Sequence, residues 1–131
     1  HSDTKADMAE RLKYIHDEIN KIIALYTPIE AAIEETFVNT NAKSSLKLGQ
    51  ARGVAMVVPA LHGIPVAEYA ANLVKKSVVG SGHADKTQVQ MMIKMLLPNC
   101  GEVGADAADA LSVAICHAHH SQTRNLILKK V

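Results

Sequence analysis

Between Asp7 and Tyr26 the apolar residues fall at Met8, Leu12, Ile15, Ile19, Ile22, Ile23 and Tyr26. Those spacings of three and four predict an amphipathic helix with one buried stripe. Asp7 stands where an N-cap belongs and Glu10 follows three residues later, a capping-box pattern with Asp in the Ser/Thr place. Thr27-Pro28 ends the helix. From Ile29 to Glu35 the pattern changes to alternation, which predicts a strand whose polar face carries carboxylates. Asn39-Thr40-Asn41 reads as a loop with Asn41 as a cap, and a second helix is predicted over roughly Lys43 to Leu61. His62-Gly63 closes that helix, and Ile64 to Tyr69 reads as a short second strand. One or two helical turns follow over Asn72 to Val79, then a connector at Gly80-Ser81-Gly82-His83. A third long helix is predicted from about Asp85 to Leu97, with Val89, Met92, Ile93, Leu96 and Leu97 as its buried stripe. Pro98-Asn99-Cys100-Gly101 breaks it, and a last helix runs from near Ala105 to about His119. Helix, strand, helix, strand in that order suits an α/β layer built on a parallel sheet.

Composition narrows the class. The chain has 131 residues, the size of one ordinary domain, and is 48% hydrophobic but only 3% aromatic. Its core must therefore come from Ala, Val, Ile, Leu and Met. Charged residues at 21% and a net charge of +1 argue against a disordered charged tail. Two cysteines exclude a disulfide framework. No apolar run approaches the roughly 18 residues a bilayer span needs, and no secretory leader opens the chain. The expectation is a soluble cytoplasmic protein with no membrane partner.

The near-neutral total conceals an asymmetry. Residues 1–35 hold eight acids against Lys5, Arg11, Lys13 and Lys21, whereas residues 36–98 hold only Glu68 and Asp85 against seven Lys and Arg. The basic stretch offers either a docking surface for a polyanion or a set of solvated helix faces.

Three groups of residues carry candidate chemistry. Asp106 and Asp109, three apart in Ala105-Asp106-Ala107-Ala108-Asp109-Ala110-Leu111, share one helix face. They complement the dipole at a helix start or, joined by a strand carboxylate such as Glu34, form an all-oxygen site for Mg²⁺ or Mn²⁺. Cys116 and His120 lie one turn apart and offer two zinc ligands, with Cys100 and His16 as loosely plausible additions; a polar helix end is the simpler account. Gly49 and Gly53, four apart inside the second helix, point to close approach of another helix, within the domain or across a dimer.

Taken in order, several stretches resemble one family. They are Glu34-Glu35-Thr36-Phe37 with Asn39 and Asn41, then Leu46-Lys47-Leu48-Gly49-Gln50-Ala51-Arg52-Gly53, then Glu68-Tyr69-Ala70 with Val74-Lys75. Val78-Val79-Gly80, Lys86, Gln88-Val89 and the Ala-Asp-Ala-Ala-Asp-Ala-Leu segment complete the series. From about Asp7 to His119 the chain is similar to the RuvC family of crossover-junction endodeoxyribonucleases, the Holliday-junction resolvases. The resemblance implies a single ribonuclease-H-like α/β domain over residues 1–131, with helices on a mainly parallel sheet remnant. It implies a homodimer that resolves four-way DNA junctions in recombination and repair by Mg²⁺-dependent hydrolysis, working with branch-migration helicases. Glu34, Asp106 and Asp109 correspond to catalytic, metal-binding acids. Phe37 corresponds to an aromatic set against junction bases, and Lys75 and Lys86 to residues on the phosphate backbone. The helix of Gly49 and Gly53 would lie near the two-fold axis.

The sequence departs from the pattern in one respect. The family's Gly-Ile-Asp-Pro-Gly-type first-strand motif, whose Asp completes the acid cluster, is not found in these residues. The expectation is a chain lacking its first strands and unable to cut by itself. A rival expectation is a non-catalytic junction-binding module that keeps Phe37 and the lysines. A helical interaction domain with zinc at Cys116 and His120 is a third.

Overall fold

The Asp7 carboxylate accepts the Glu10 N–H at 2.8 Å, so helix α1 (Met8–Tyr26) begins where the cap lies in the sequence. The computed structural model describes residues 7–35, 41–80, 85–99, 101 and 104–129, with side chains of the last helix as far as 121. Phe37, Asn39 and the Ser81–His83 part of the connector lie outside the described residues. At the other end of α1, Thr27 adopts φ 45° and its N–H donates to the Ile23 carbonyl at 2.8 Å. A left-handed β-branched residue is strained, and Pro28 behind it prevents a further helical turn.

Strand β1 (Ala31–Glu34) and strand β2 (Val66–Tyr69) pair in a small parallel sheet, with the Ala31 N–H donating to the Pro65 carbonyl at 3.0 Å. Helix α2 (Ala42–Leu61) is the crossover between them, capped by Asn41 through a bond from the Ser44 N–H at 3.2 Å. Pro59 sits in its last turn. The Pro59 carbonyl accepts from both His62 and Ile64, and Gly63 at φ 73° reverses the chain into β2. Helices α3 (Ala71–Val79), α4 (Lys86–Leu96) and α5 (Ala105–Lys129) follow. Asp85 and Gln88 form a reciprocal capping box at the start of α4. The final helix runs ten residues past the expected end at His119, because nothing between His119 and Lys129 breaks it.

Two compact units, residues 1–67 and 68–131, divide the chain. In the first, α1 packs on α2 around Ile23, Val58 and Ile64, with Ile19, Ala31 and Val54 against them. In the second, α3, α4 and α5 pack mutually, and Val78, Val89 and Ile93 form a core closed by Val79, Met92, Leu111 and Ile115. Aliphatic side chains supply both, as the aromatic-poor composition requires.

The buried stripes are narrower than the periodicity predicts. On α1, Ile23 is buried while Ile22 and Tyr26 are exposed. On α4, Ile93 is 0% exposed but Leu96 is 46% exposed, and Leu97 already lies beyond the helix with only partial cover. Among the described residues, the core shared with α3 and α5 takes Val89, Met92 and Ile93 from α4, and Leu96 and Leu97 are not part of it. The glycines differ as well. A Cβ placed on Gly49 or Gly53 meets nothing within 4 Å, so among the described residues no helix approaches them closely.

Candidate functional site

The carboxylate pair is built by α5. Its inward side is made of small or aliphatic residues, with Ala108, Ser112, Val113 and Cys116 buried. The Ser112 hydroxyl is satisfied by donating to the Ala108 carbonyl at 2.8 Å. Asp106 and Asp109 stand in the first turn and a half, both exposed. Their spacing puts the two Cβ atoms about 5–6 Å apart, and the positive end of the helix favours both anions. An exposed, closely spaced pair of hard oxygen donors fits Mg²⁺ or Mn²⁺ better than a softer ion.

Glu34 is the last residue of β1 and is half-buried. Arg52, one turn before the Met56 sulfur it contacts at 3.1 Å, reaches from α2 to donate Nε–H to the Glu34 carbonyl at 3.4 Å. The guanidinium therefore lies beside the strand end that carries the acid. Within the Leu-Gly-Gln-Ala-Arg-Gly motif, Arg52 is the one charged residue between Gly49 and Gly53, which is the signal the sequence carries for its role. Glu34 belongs to the first compact unit, and Asp106 and Asp109 to the second. Among the described residues, no three His, Cys, Asp or Glu side chains form a ready-made metal cluster.

Lys75 on α3 and Lys86 at the first position of α4 are both exposed, free of the buried side on which Val74, Val78 and Val89 pack. Phe37 lies outside the described residues.

Cys116 and His120 are otherwise employed than as zinc ligands. Cys116 is 0% exposed in the core. His120 Nδ1 lies 2.8 Å from the Cys116 carbonyl oxygen and 3.7 Å from its Sγ, so Nδ1–H donates to the carbonyl and the sulfur makes only a packing contact. His16 bonds Asp17 and Asn20 in the first unit, and Cys100 lies outside the described residues. A different cluster, without a signal in the sequence, lies here: the Tyr69 hydroxyl is 2.6 Å from His117 Nδ1, and its ring is tilted against those of both His117 and His120.

Residues 2–117 match the family profile described as Crossover junction endodeoxyribonuclease RuvC. A relative of that name from Rhodopseudomonas palustris is 66% identical over 113 residues, covering 86% of this chain and 65% of the relative. Another from Paramagnetospirillum magneticum is 60% identical over 129 residues, covering 98% of this chain and 78% of the relative. This chain belongs to the RuvC family. Its fold agrees: a Thermus thermophilus RuvC in complex with Holliday junction substrate superposes with a TM-score of 0.84 at 28% identity, over 93% of this chain and 74% of that one. A second T. thermophilus RuvC structure gives 0.81. The ribonuclease-H-like α/β architecture implied by the sequence is thus the RuvC fold. This RuvC-family chain spans 65% of the R. palustris relative's length. Among its described residues, no helix is long and apolar enough to cross a membrane.

Proposed function

We propose that this chain is the greater part of a structure-selective endonuclease that resolves four-way DNA junctions by divalent-metal-dependent phosphodiester hydrolysis, with Mg²⁺ as the ion and Mn²⁺ as its substitute. The observation that carries the reading is the exposed Asp106–Asp109 pair at the start of α5, in a fold that superposes on a RuvC bound to a Holliday junction. Glu34, Asp106 and Asp109 act as the metal-holding catalytic acids. A bound Mg²⁺ would neutralise charge between these carboxylates and the phosphodiester and polarise the scissile phosphate.

The remaining work falls to the chain's own side chains. Lys75 and Lys86 hold backbone phosphates and give binding a steep salt dependence. Phe37 stacks on opened bases, a contact worth about 1–3 kcal/mol. Two copies place two such sites on opposed strands. The outward Gly49–Gly53 face of α2, with no neighbour within 4 Å at either glycine, suits the dimer axis. Branch-migration helicases are the expected partners and the cytoplasm the expected compartment.

A gel assay with a synthetic four-way junction tests this. The chain is compared, alone, with a fusion carrying the first-strand segment of the R. palustris relative. Paired, Mg²⁺-dependent cuts by the fusion support the proposal. Tight junction binding with no cutting by either protein establishes a non-catalytic binding module instead. Failure of both to bind or cut a junction overturns it.

A further inference from the structure

The second compact unit ties α5 to the end of β2 through a group of side chains with no part in the chemistry above. Tyr69 is the last residue of β2 and is 7% exposed. Its hydroxyl is 2.6 Å from His117 Nδ1, and the ring centroids of His117 and His120 lie 5.7 and 5.3 Å from its own. His120 is in turn pinned to the Cys116 carbonyl at 2.8 Å. In the Nε2–H tautomer of His117 the phenol donates to Nδ1. In the other tautomer Nδ1–H donates to the phenol oxygen, so either arrangement ties the tyrosine to the helix.

The place of this strut on the helix is what matters. Asp106 and His117 are eleven residues apart, as are Asp109 and His120. Eleven residues of α-helix advance about 16 Å and turn about 1100°, three full turns plus only about 20°. The two histidines therefore repeat the two aspartates on the same helix face. No Gly or Pro interrupts the helix from Ala105 to His120, so it transmits rotation along that length.

We propose that Tyr69, with His117, is a positioning residue that sets the rotation of α5 about its axis, and so the direction in which Asp106 and Asp109 present their carboxylates to the metal. This rests on the reading of those aspartates as metal ligands. A rotation of about 10° displaces an atom at the helix's outer radius of about 5–6 Å by about 1 Å, and a misplacement of that size at a reacting centre costs about a hundredfold.

The test is Mn²⁺ binding to the chain, followed by electron paramagnetic resonance, beside thermal unfolding of each protein. Tyr69→Phe keeps the ring and loses the hydroxyl; His117→Leu loses the acceptor. Both should weaken Mn²⁺ binding about tenfold. His117→Asn, which keeps an acceptor near the Nδ1 position, should return it to within about twofold of wild type. Ile23→Ala, a change in the core of the first unit that has no α5 residue among its neighbours, should lower the unfolding temperature with Mn²⁺ affinity unchanged. Wild-type affinity in Tyr69→Phe overturns the proposal while leaving the metal site standing. Equal weakening by Ile23→Ala at equal loss of stability also overturns it. A wild-type chain that binds no Mn²⁺ overturns both this inference and the metal-site reading beneath it.

Discussion

Truncating Ile93 and Leu96 to alanine separates the packing seen in the fold from the packing that periodicity alone implies. Both lie on the apolar stripe of α4 and differ by three residues. Ile93 is 0% exposed and encased by Val78, Val89, Leu111 and Ile115, whereas Leu96 is 46% exposed. Removing the Ile93 side chain beyond Cβ forfeits about 2.4 kcal/mol of transfer free energy, at about 0.8 kcal/mol per methylene. The cavity it leaves among close-packed neighbours brings the cost to about 3–4 kcal/mol. Leu96 loses the same number of carbons, but roughly half of that surface is already in water and no closed cavity forms, so about 1 kcal/mol is expected. In a chain of 131 residues the difference of about 2 kcal/mol corresponds to a gap in Tm of about 6–10 °C. Urea unfolding of the two purified variants with unchanged m-value measures it. If Leu96→Ala proves as costly as Ile93→Ala, then α4 packs along its whole stripe and the account of the second core is wrong.

Other expected outcomes are quickly stated. In a protein that cuts junctions, Glu34→Gln should abolish cleavage while a filter-binding assay finds junction affinity nearly unchanged. Lys75→Ala and Lys86→Ala should each weaken binding at low salt and reduce the slope of log affinity against log salt by about one. Gly53→Ala should stabilise the isolated chain by about 0.5–1 kcal/mol in thermal unfolding, since its Cβ meets nothing within 4 Å, and should weaken self-association in sedimentation if α2 lies at the dimer axis. The Asp17 carboxyl is held below its ordinary 3.8 chiefly by the hydrogen bond from Lys13 and then by that from His16. A lowered pKa contributes stability that is present above 3.8 and is lost as pH falls through the folded value. Wild type and Asp17→Asn should therefore differ slightly at neutral pH in thermal melts and converge well below pH 3.8.

The sequence by itself determined the elements and most of the candidate chemistry, because those signals are local. Asp7, Asn41 and Asp85 each place a side-chain acceptor three residues from a helix N–H, and all three helices start at these caps. Asp106 and Asp109 share a face because helical geometry requires it, and the order of the motifs pointed to the RuvC family before any packing was known. What only the tertiary structure decided depends on partners distant in the chain. Leu96 stays exposed because the shared core of α3, α4 and α5 takes Val89, Met92 and Ile93 from α4, a choice of side that periodicity does not encode. Of the two contacts their spacing suggested for Gly49 and Gly53, within the chain or across a dimer, the first is not made among the described residues. Arg52 reaches the Glu34 carbonyl across eighteen residues, and Tyr69 meets His117 across forty-eight. Hydrogen bonds of that span arise from a strand end and a helix face brought together by folding, so residues that read separately as a motif tyrosine and a polar helix end become one strut only in three dimensions.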